Sequence, residues 1–173
     1  DTIYEVPLEL RRQRLDDVVL DLLQIEAPQT DLAEWGRMVE RVKNPSSGTV
    51  RIAVVGKYTE LVDAYKSVQQ GLVHGGIAND VKVKIEWVSS ERYEAGDLER
   101  HFDGFDGLLI PGGFGDRGIE GMLMAIQWAR ENGLPFFGIC LGLQCAIIEY
   151  ARNVCGRTGA NSVEFDPDTE HPV

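Results

Sequence analysis

Apolar residues along this chain follow two different periods, and the change between them divides it. Leu15, Val18, Val19, Leu22 and Leu23 recur at the spacing of one helix face, as do Leu32, Trp35, Met38, Val39 and Val42. Two helices are therefore expected before residue 44, the second capped by Asp31 with Glu34 three positions on, as in a capping box. Asn44-Pro45-Ser46-Ser47-Gly48 breaks the pattern with turn formers and reads as a flexible connection. Beyond it, Val50 to Val55 reads as a buried strand, and Val62 to His74 as a helix with Val62, Tyr65, Val68, Gln69 and Leu72 on one side. Val81, Val83, Ile85 and Trp87 alternate with Lys82, Lys84 and Glu86, the period-two signature of a strand with one polar face. A short helix at Asp97 to Phe102, a strand at Gly107 to Ile110, a helix at Ile119 to Glu131, a strand at Pro135 to Ile139 and a helix at Gly142 to Arg152 complete the series. Strands alternating with helices predict an α/β fold, a mostly parallel, doubly wound sheet covered on both faces. The expected organisation is a helical segment over 1–43, a connection over 44–48 and an α/β region over 49–173.

Composition narrows the function classes. A chain of 173 residues with 43% hydrophobic content has material for one sizeable core. A formal charge of −11 argues against a nucleic-acid surface, which needs clustered Lys and Arg. The three cysteines, Cys140, Cys145 and Cys155, are odd in number and lack Cys-x-x-Cys spacing, so neither a disulfide framework nor a metal site is expected and a reducing, cytoplasmic setting fits best. No apolar run approaches the roughly 20 residues of a spanning helix, so a soluble protein without a membrane partner is expected.

Two loops carry the candidate chemistry. Pro135-Phe136-Phe137-Gly138-Ile139-Cys140-Leu141-Gly142-Leu143-Gln144 is an apolar strand running through Gly-x-Cys-x-Gly into helix-forming sequence, a nucleophile elbow with cysteine in place of serine. Gly138 and Gly142 remove the Cβ atoms that would block a tight turn, and the thiol is held at a helix N-terminus that favours the thiolate. The Leu141 amide points where an oxyanion would form. The plainer reading is a small hydrophobe at the end of a buried strand. Against it stands Phe105-Asp106-Gly107-Leu108-Leu109-Ile110-Pro111-Gly112-Gly113-Phe114-Gly115-Asp116-Arg117-Gly118, a second strand emptying into a glycine-rich loop. Loops at the carboxyl ends of adjacent parallel strands share one crevice. The amides of Gly112 and Gly113 would supply the other half of an oxyanion hole.

These two runs closely resemble the triad-type, class I glutamine amidotransferase domain. The flanks are similar to the CTP synthase family in particular: Val55-Gly56-Lys57-Tyr58-Thr59-Glu60-Leu61, Asp63-Ala64-Tyr65-Lys66-Ser67, His74-Gly75-Gly76, Gly118-Ile119-Glu120-Gly121 and Ala160-Asn161-Ser162-Val163-Glu164-Phe165. Thr2-Ile3-Tyr4-Glu5-Val6-Pro7-Leu8 is similar to the end of that family's synthetase domain. The resemblance implies a flavodoxin-like sheet truncated on its C-terminal side and a fragment: the tail of one domain, a linker, and the first part of the amidotransferase domain.

What the resemblance implies can be carried over residue by residue. Cys140 would attack the side-chain amide of L-glutamine and release ammonia. Leu141 and Gly113 would line the oxyanion hole. Gly113, Leu141, Gly142, Leu143 and Gln144 would hold the substrate, with Glu164 on its α-amino group. Lys66 sits in a helix tied to the GTP effector, although Gln70 departs from the acid the family pattern leads one to expect. The family's general base and its carboxylate come from a later His-Pro-Glu segment, which His171-Pro172-Val173 does not match. The isolated chain is therefore expected to be inactive. ATP with Mg2+ and UTP belong to the synthetase domain, so no cofactor or metal is expected on this chain, and the whole enzyme would be a homo-oligomer. Cys145 and Cys155 are expected to pack, His74 to end a helix and His101 to lie on the surface. Two other readings stay open: another elbow-type cysteine hydrolase, such as a γ-glutamyl hydrolase or DJ-1-like protein, and a catalytically silent interaction module.

Overall fold

The computed structural model describes residues 2–57 and 62–173, so part of the Val55–Leu61 motif lies outside the described residues. Two compact units are present, one of residues 1–49 with 73–82 and the other of residues 50–72 with 83–173.

The first unit is mainly helical, with α1 (Val6–Arg12), α2 (Leu15–Leu23) and α3 (Ala33–Lys43). The two periodic stretches seen in the sequence become α2 and α3. Asp31 Oδ1 accepts from the Ala33 amide at 2.8 Å, from one position outside the cap residue Leu32. The capping box forms elsewhere, at the start of the chain: Thr2 Oγ1 accepts from the Tyr4 amide and Glu5 Oε2 from the Thr2 amide at 3.1 Å. Glu5 also meets Lys43 Nζ at 2.8 Å, and the Trp35 indole donates to the Tyr4 carbonyl at 2.7 Å. The connection at 44–48 is pinned to Asp80, whose carbonyl accepts from the Ser47 amide at 2.9 Å and whose carboxylate takes the Ser46 amide and hydroxyl.

The helix expected to stop at His74 does not. After a 3-10 turn over Val62–Tyr65, α4 runs from Lys66 to Ala78, through Gly75 and Gly76. Its stop signal is Asn79-Asp80: Asn79 donates through backbone and side chain to the Gly75 carbonyl, and Asp80 takes a left-handed φ of 55°. His74 thus lies one turn inside the helix, where its Nε2 meets the Tyr4 hydroxyl at 2.7 Å.

The second unit is built on a sheet of β1 (Thr49–Gly56), β2 (Lys82–Ser89), β3 (Gly107–Ile110) and β4 (Phe136–Gly138), in the order β2-β1-β3-β4. β3 pairs in parallel with β1, through Ile52 and Gly107, and with β4, through Leu108 and Phe136. Placing β1 between β2 and β3 is the flavodoxin-like order, which puts a crevice over the carboxyl ends of β1 and β3. On β2 the expected alternation holds: Val83, Ile85 and Trp87 are half-buried and Lys82, Lys84 and Glu86 exposed. β3 is buried at every position, as a central parallel strand should be.

One face of the sheet, through Ala53, Val55, Leu108 and Ile110, joins a single core with α5 (Leu98–Phe102), α6 (Ile119–Asn132) and α7 (Leu141–Asn153). Val54 and Leu109, which alternate onto the opposite face, are also buried. Close backbone packing locks the helices to this frame: a Cβ on Gly121 would lie 1.8 Å from the Ser90 carbonyl oxygen. Arg130 on α6 grips the buried Glu149 of α7 at 2.7 Å, and Arg152 of α7 grips Glu120 at 3.0 Å. No helix among the described residues is long and apolar enough to cross a membrane.

Candidate active site

β4 ends at Gly138 and α7 begins at Leu141, so Cys140 occupies the cap position between them. Its backbone is at φ 52°, ψ −105°, outside the regions that L-residues ordinarily populate. Such a conformation costs on the order of 1–3 kcal/mol and persists only where surrounding structure enforces it. Here glycines enforce it. A Cβ on Gly138 would sit 2.5 Å from the Gly142 carbonyl carbon, and one on Gly142 would sit 2.2 Å from the Ile110 carbonyl oxygen. The Ile139 amide donates to the same Ile110 oxygen at 2.9 Å, tying the elbow to the end of β3.

The geometry leaves both thiol and amide available. Cys140 is exposed, and its side chain caps nothing. The amides of Gly142, Leu143 and Gln144 donate to the carbonyls of Ile139 and Cys140 at 3.0 to 3.1 Å. Leu141, at the first helical position, donates to no backbone carbonyl among the described residues. The opposing loop is close: a Cβ on Gly112 would lie 3.6 Å from Cys140 Cβ, and one on Gly113 would lie 3.0 Å from Leu141 Cδ2. Free amides, the positive end of a helix and an exposed thiol therefore meet at one spot. That arrangement suits stabilisation of an oxyanion formed when a thiolate attacks a carbonyl.

The remaining residues singled out in the sequence fall into two groups. Gly142 is buried against β3, Leu141 carries a buried side chain, and Leu143 and Gln144 follow on the first turn of α7. Glu164 is exposed in a turn where its amide donates to Ser162 Oγ at 3.2 Å, and no contact joins it to Cys140 among the described residues. Lys66 is exposed, 4.0 Å from Asp63. His171 closes the turn that carries Glu164: its carbonyl accepts from the Asn161 amide at 3.2 Å, and Pro172 bridges to Asn161. His101 packs its ring on Tyr93, 5.5 Å between centroids. None of the contacts made by the three histidines reaches Cys140.

The other two cysteines differ from each other. Cys145 lies within the core, and burial pushes its thiol up to about 11. Cys155 is exposed, against the expectation that it packs, because α7 has ended at Asn153 and the chain is turning away. Among the described residues, no group of three or more His, Cys, Asp and Glu side chains could hold a metal ion.

One residue had no assigned role in the sequence. Lys57 follows β1, is only 7% exposed, and donates to the carbonyl of Phe114 at 3.0 Å and to that of Gly115. Burial lowers the pKa of its ammonium. A lysine one position past the carboxyl end of a central strand was the available signal.

Comparison with known proteins bears on the whole arrangement. A family model described as "Glutamine amidotransferase class-I" matches residues 60–169. The chain is 55% identical to the CTP synthase of Desulfitobacterium hafniense over 172 residues, 99% of this chain and 32% of that protein. It is 54% identical to the CTP synthase of Clostridium acetobutylicum, over 100% of this chain and 32% of that protein. Against the CTP synthase of Methanocaldococcus jannaschii the identity is 52%, over 99% and 33%. The chain thus spans about a third of the length of the curated relatives it matches. Among solved structures it is similar to "Trypanosoma brucei CTPS - glutaminase domain with bound acivicin", with 46% identity and a TM-score of 0.67, covering 72% of this chain and 48% of that one.

Proposed function

The chain belongs to the class-I glutamine amidotransferase family, and from that membership we propose that it supplies the nucleophile half of a glutaminase site within a CTP synthase. The observation that carries the reading is the enforced conformation of Cys140, exposed at the head of α7 beside the Gly112-Gly113 loop. The Cys140 thiolate attacks the side-chain carbonyl carbon of L-glutamine, forming a C–S bond. The negative charge that develops on oxygen is met by the amides of Leu141 and Gly113. Collapse breaks the C–N bond, the departing nitrogen takes a proton and leaves as ammonia, and a glutamyl thioester remains. Water then cleaves the thioester to glutamate and the free thiol. Gln144 and Glu164 orient the substrate in this reading, and Lys66 belongs to the response to GTP.

Ammonia made in this way serves the amination of UTP to CTP, driven by ATP with Mg2+. Those nucleotides bind a synthetase region outside residues 1–173. In this reading the proton acceptor for the glutaminase step also lies outside; the rings of His74 and His101 meet Tyr4 and Tyr93, and the main chain of His171 is tied to Asn161. General acid–base catalysis contributes about 10² to 10⁴-fold, so this chain alone turns over glutamine negligibly.

The test is ammonia release from glutamine by three proteins: the 173-residue chain, a longer polypeptide extended to the length of the relatives, and that polypeptide with Cys140→Ala. Only the unaltered long form should turn over. Acivicin, which is bound in the similar Trypanosoma brucei glutaminase domain, should protect Cys140 from iodoacetamide in the long form. Activity surviving Cys140→Ala removes the nucleophile assignment. Equal turnover by the short chain brings His171 back as the base.

A further inference from the structure

The loop that carries Gly113 is held at both ends, and the two holds differ in kind. At its start it leaves β3 beside Ile110, whose carbonyl takes the Ile139 amide. At its far end the carbonyls of Phe114 and Gly115 turn inward and accept from one side chain, the ammonium of Lys57. That ammonium is an unusual choice for a mere packing contact. Lys57 is 7% exposed and forms no ion pair among the described residues; its desolvation is only partly offset, by carbonyl dipoles and by the more distant Cys145, Asp116 and Glu91. Arg117 opposes it. A buried lysine is among the rarest placements for that residue.

We propose that Lys57 is the positioning residue of the oxyanion hole, its buried ammonium clamping the Phe114 and Gly115 carbonyls so that the Gly113 amide stays opposite Cys140. Peptide groups are planar, so fixing a carbonyl fixes the direction of the N–H on the same plane. Two consecutive planes are fixed by Lys57, and only the planes at residues 111–114 remain between that clamp and β3. Proline at position 111 limits them at one end. At the other, Gly115 has a φ of 75°, a turn that glycine adopts without strain. Without the clamp the short glycine-rich span can rotate its planes. Pro111 is buried and Gly112 and Gly113 abut Cys140 and Leu141, but toward the far end the span has little packing of its own, since Phe114 is 82% exposed. Lys57 itself does not touch the reacting atoms. Its influence is on where the donor amide points, which matters for the transition state and not for binding the ground state.

This inference rests on the glutaminase reading, and its test separates the two. In the long polypeptide, Lys57→Met keeps the side-chain length but removes charge and donors. The expected result is a fall of about 10- to 100-fold in kcat for glutamine, with KM within about threefold and iodoacetamide labelling of Cys140 within about twofold. Alkylation by iodoacetamide needs an accessible thiolate but no oxyanion donor, so it reports the elbow independently of the loop. A wild-type kcat in Lys57→Met overturns the proposal, as does a parallel loss of kcat and labelling, which would mean a general structural role. Lys57→Gln, which keeps an N–H donor on a shorter stem, covers the case in which the methionine variant fails to fold. The same split is expected there, and unchanged kcat would overturn the proposal equally. Activity that survives Cys140→Ala condemns the glutaminase reading itself, whatever Lys57 does.

Discussion

Replacing Gly142 with alanine adds one methyl group where α7 meets β3, and its cost follows from the distances. The new Cβ would lie 2.2 Å from the Ile110 carbonyl oxygen and 3.0 Å from the carbonyl carbon, against 3.4 Å where ordinary contact begins. Both partners are backbone within a paired strand, so no side-chain rotation relieves the overlap, and α7 must move away from the sheet by roughly 1 Å. Overpacking of this kind costs about 1–3 kcal/mol. Alanine's better helix propensity returns at most about 1 kcal/mol. The 2.2 Å approach to backbone puts the cost at the upper end of that range, so the net is about 2 kcal/mol, and at about 2–4 °C in Tm per kcal/mol for this chain length a loss of about 4–8 °C is expected. Gly71→Ala is the matched control in the same unit, since Gly71 lies inside α4 with nothing within 4 Å of its would-be Cβ. That variant should gain about 0.5–1 kcal/mol. Thermal melts followed by circular dichroism should therefore move in opposite directions, and labelling of Cys140 should change only in Gly142→Ala. A Gly142→Ala protein that melts with the wild type would refute the claim that α7 presses on β3 and that this pressure shapes the elbow.

Three further outcomes can be checked directly. With limiting iodoacetamide at pH 8, Cys140 should label before Cys155; Cys145, its thiol pushed up to about 11, carries a thiolate fraction of about 10⁻³ against roughly a quarter for an ordinary thiol, and peptide mapping that finds Cys145 or Cys155 first would contradict the elbow. Glu9 is held down to about 2, first by its hydrogen bond to Arg12 and then by Gln13; a depressed carboxylate stabilises fully above its ordinary value of 4.5 and loses that contribution as pH falls through 2, so helical ellipticity should decline across that window and Arg12→Met should flatten the decline. Asp80→Ala removes the carboxylate that takes the Ser46 amide and hydroxyl but keeps the main-chain carbonyl that takes the Ser47 amide, so trypsin or elastase should cut between residues 41 and 49 faster than in the wild type; an unchanged rate would show that the carboxylate does not restrain the connection.

How far the structure was legible depended on whether one period or one neighbour decided each feature. β2 could be read position by position because its polar face stays exposed, and β3 because every residue in it is apolar. The order of strands could not be read from periodicity, since it depends on which crossover covers which face. The end of α4 was misplaced because His74-Gly75-Gly76 looks like a terminus, yet Asn79 and Asp80 supply a better one. The capping box was visible as a pattern at Asp31 and Glu34, but the one that forms uses Thr2 and Glu5, in a stretch read only as the tail of another domain. For the site, the glycines and Cys140 were legible because their spacing is local. Lys57 was not, because its partners lie 57 and 58 positions away. Cys155 was expected to pack, and is exposed because helix α7 ends before it.

The strand order explains why three separate pieces of sequence meet. β1, β3 and β4 are neighbours and parallel, so their carboxyl ends lie side by side on one edge of the sheet. Each end delivers one component: the ammonium of Lys57 after β1, the amides of the Gly112-Gly113 loop after β3, and Cys140 after β4. The middle component is constrained from both sides, by Lys57 through Phe114 and Gly115 and by the elbow through Ile110 and Leu141. A loop rich in glycine would be too free to hold its amides in one direction if it stood at an outer strand. Between two strands that each grip it, the same flexibility lets backbone amides approach the thiol closely while the grips fix their direction. The glycines thus supply proximity and the neighbours supply orientation, which is why a site made mostly of main chain can be encoded by so few side chains.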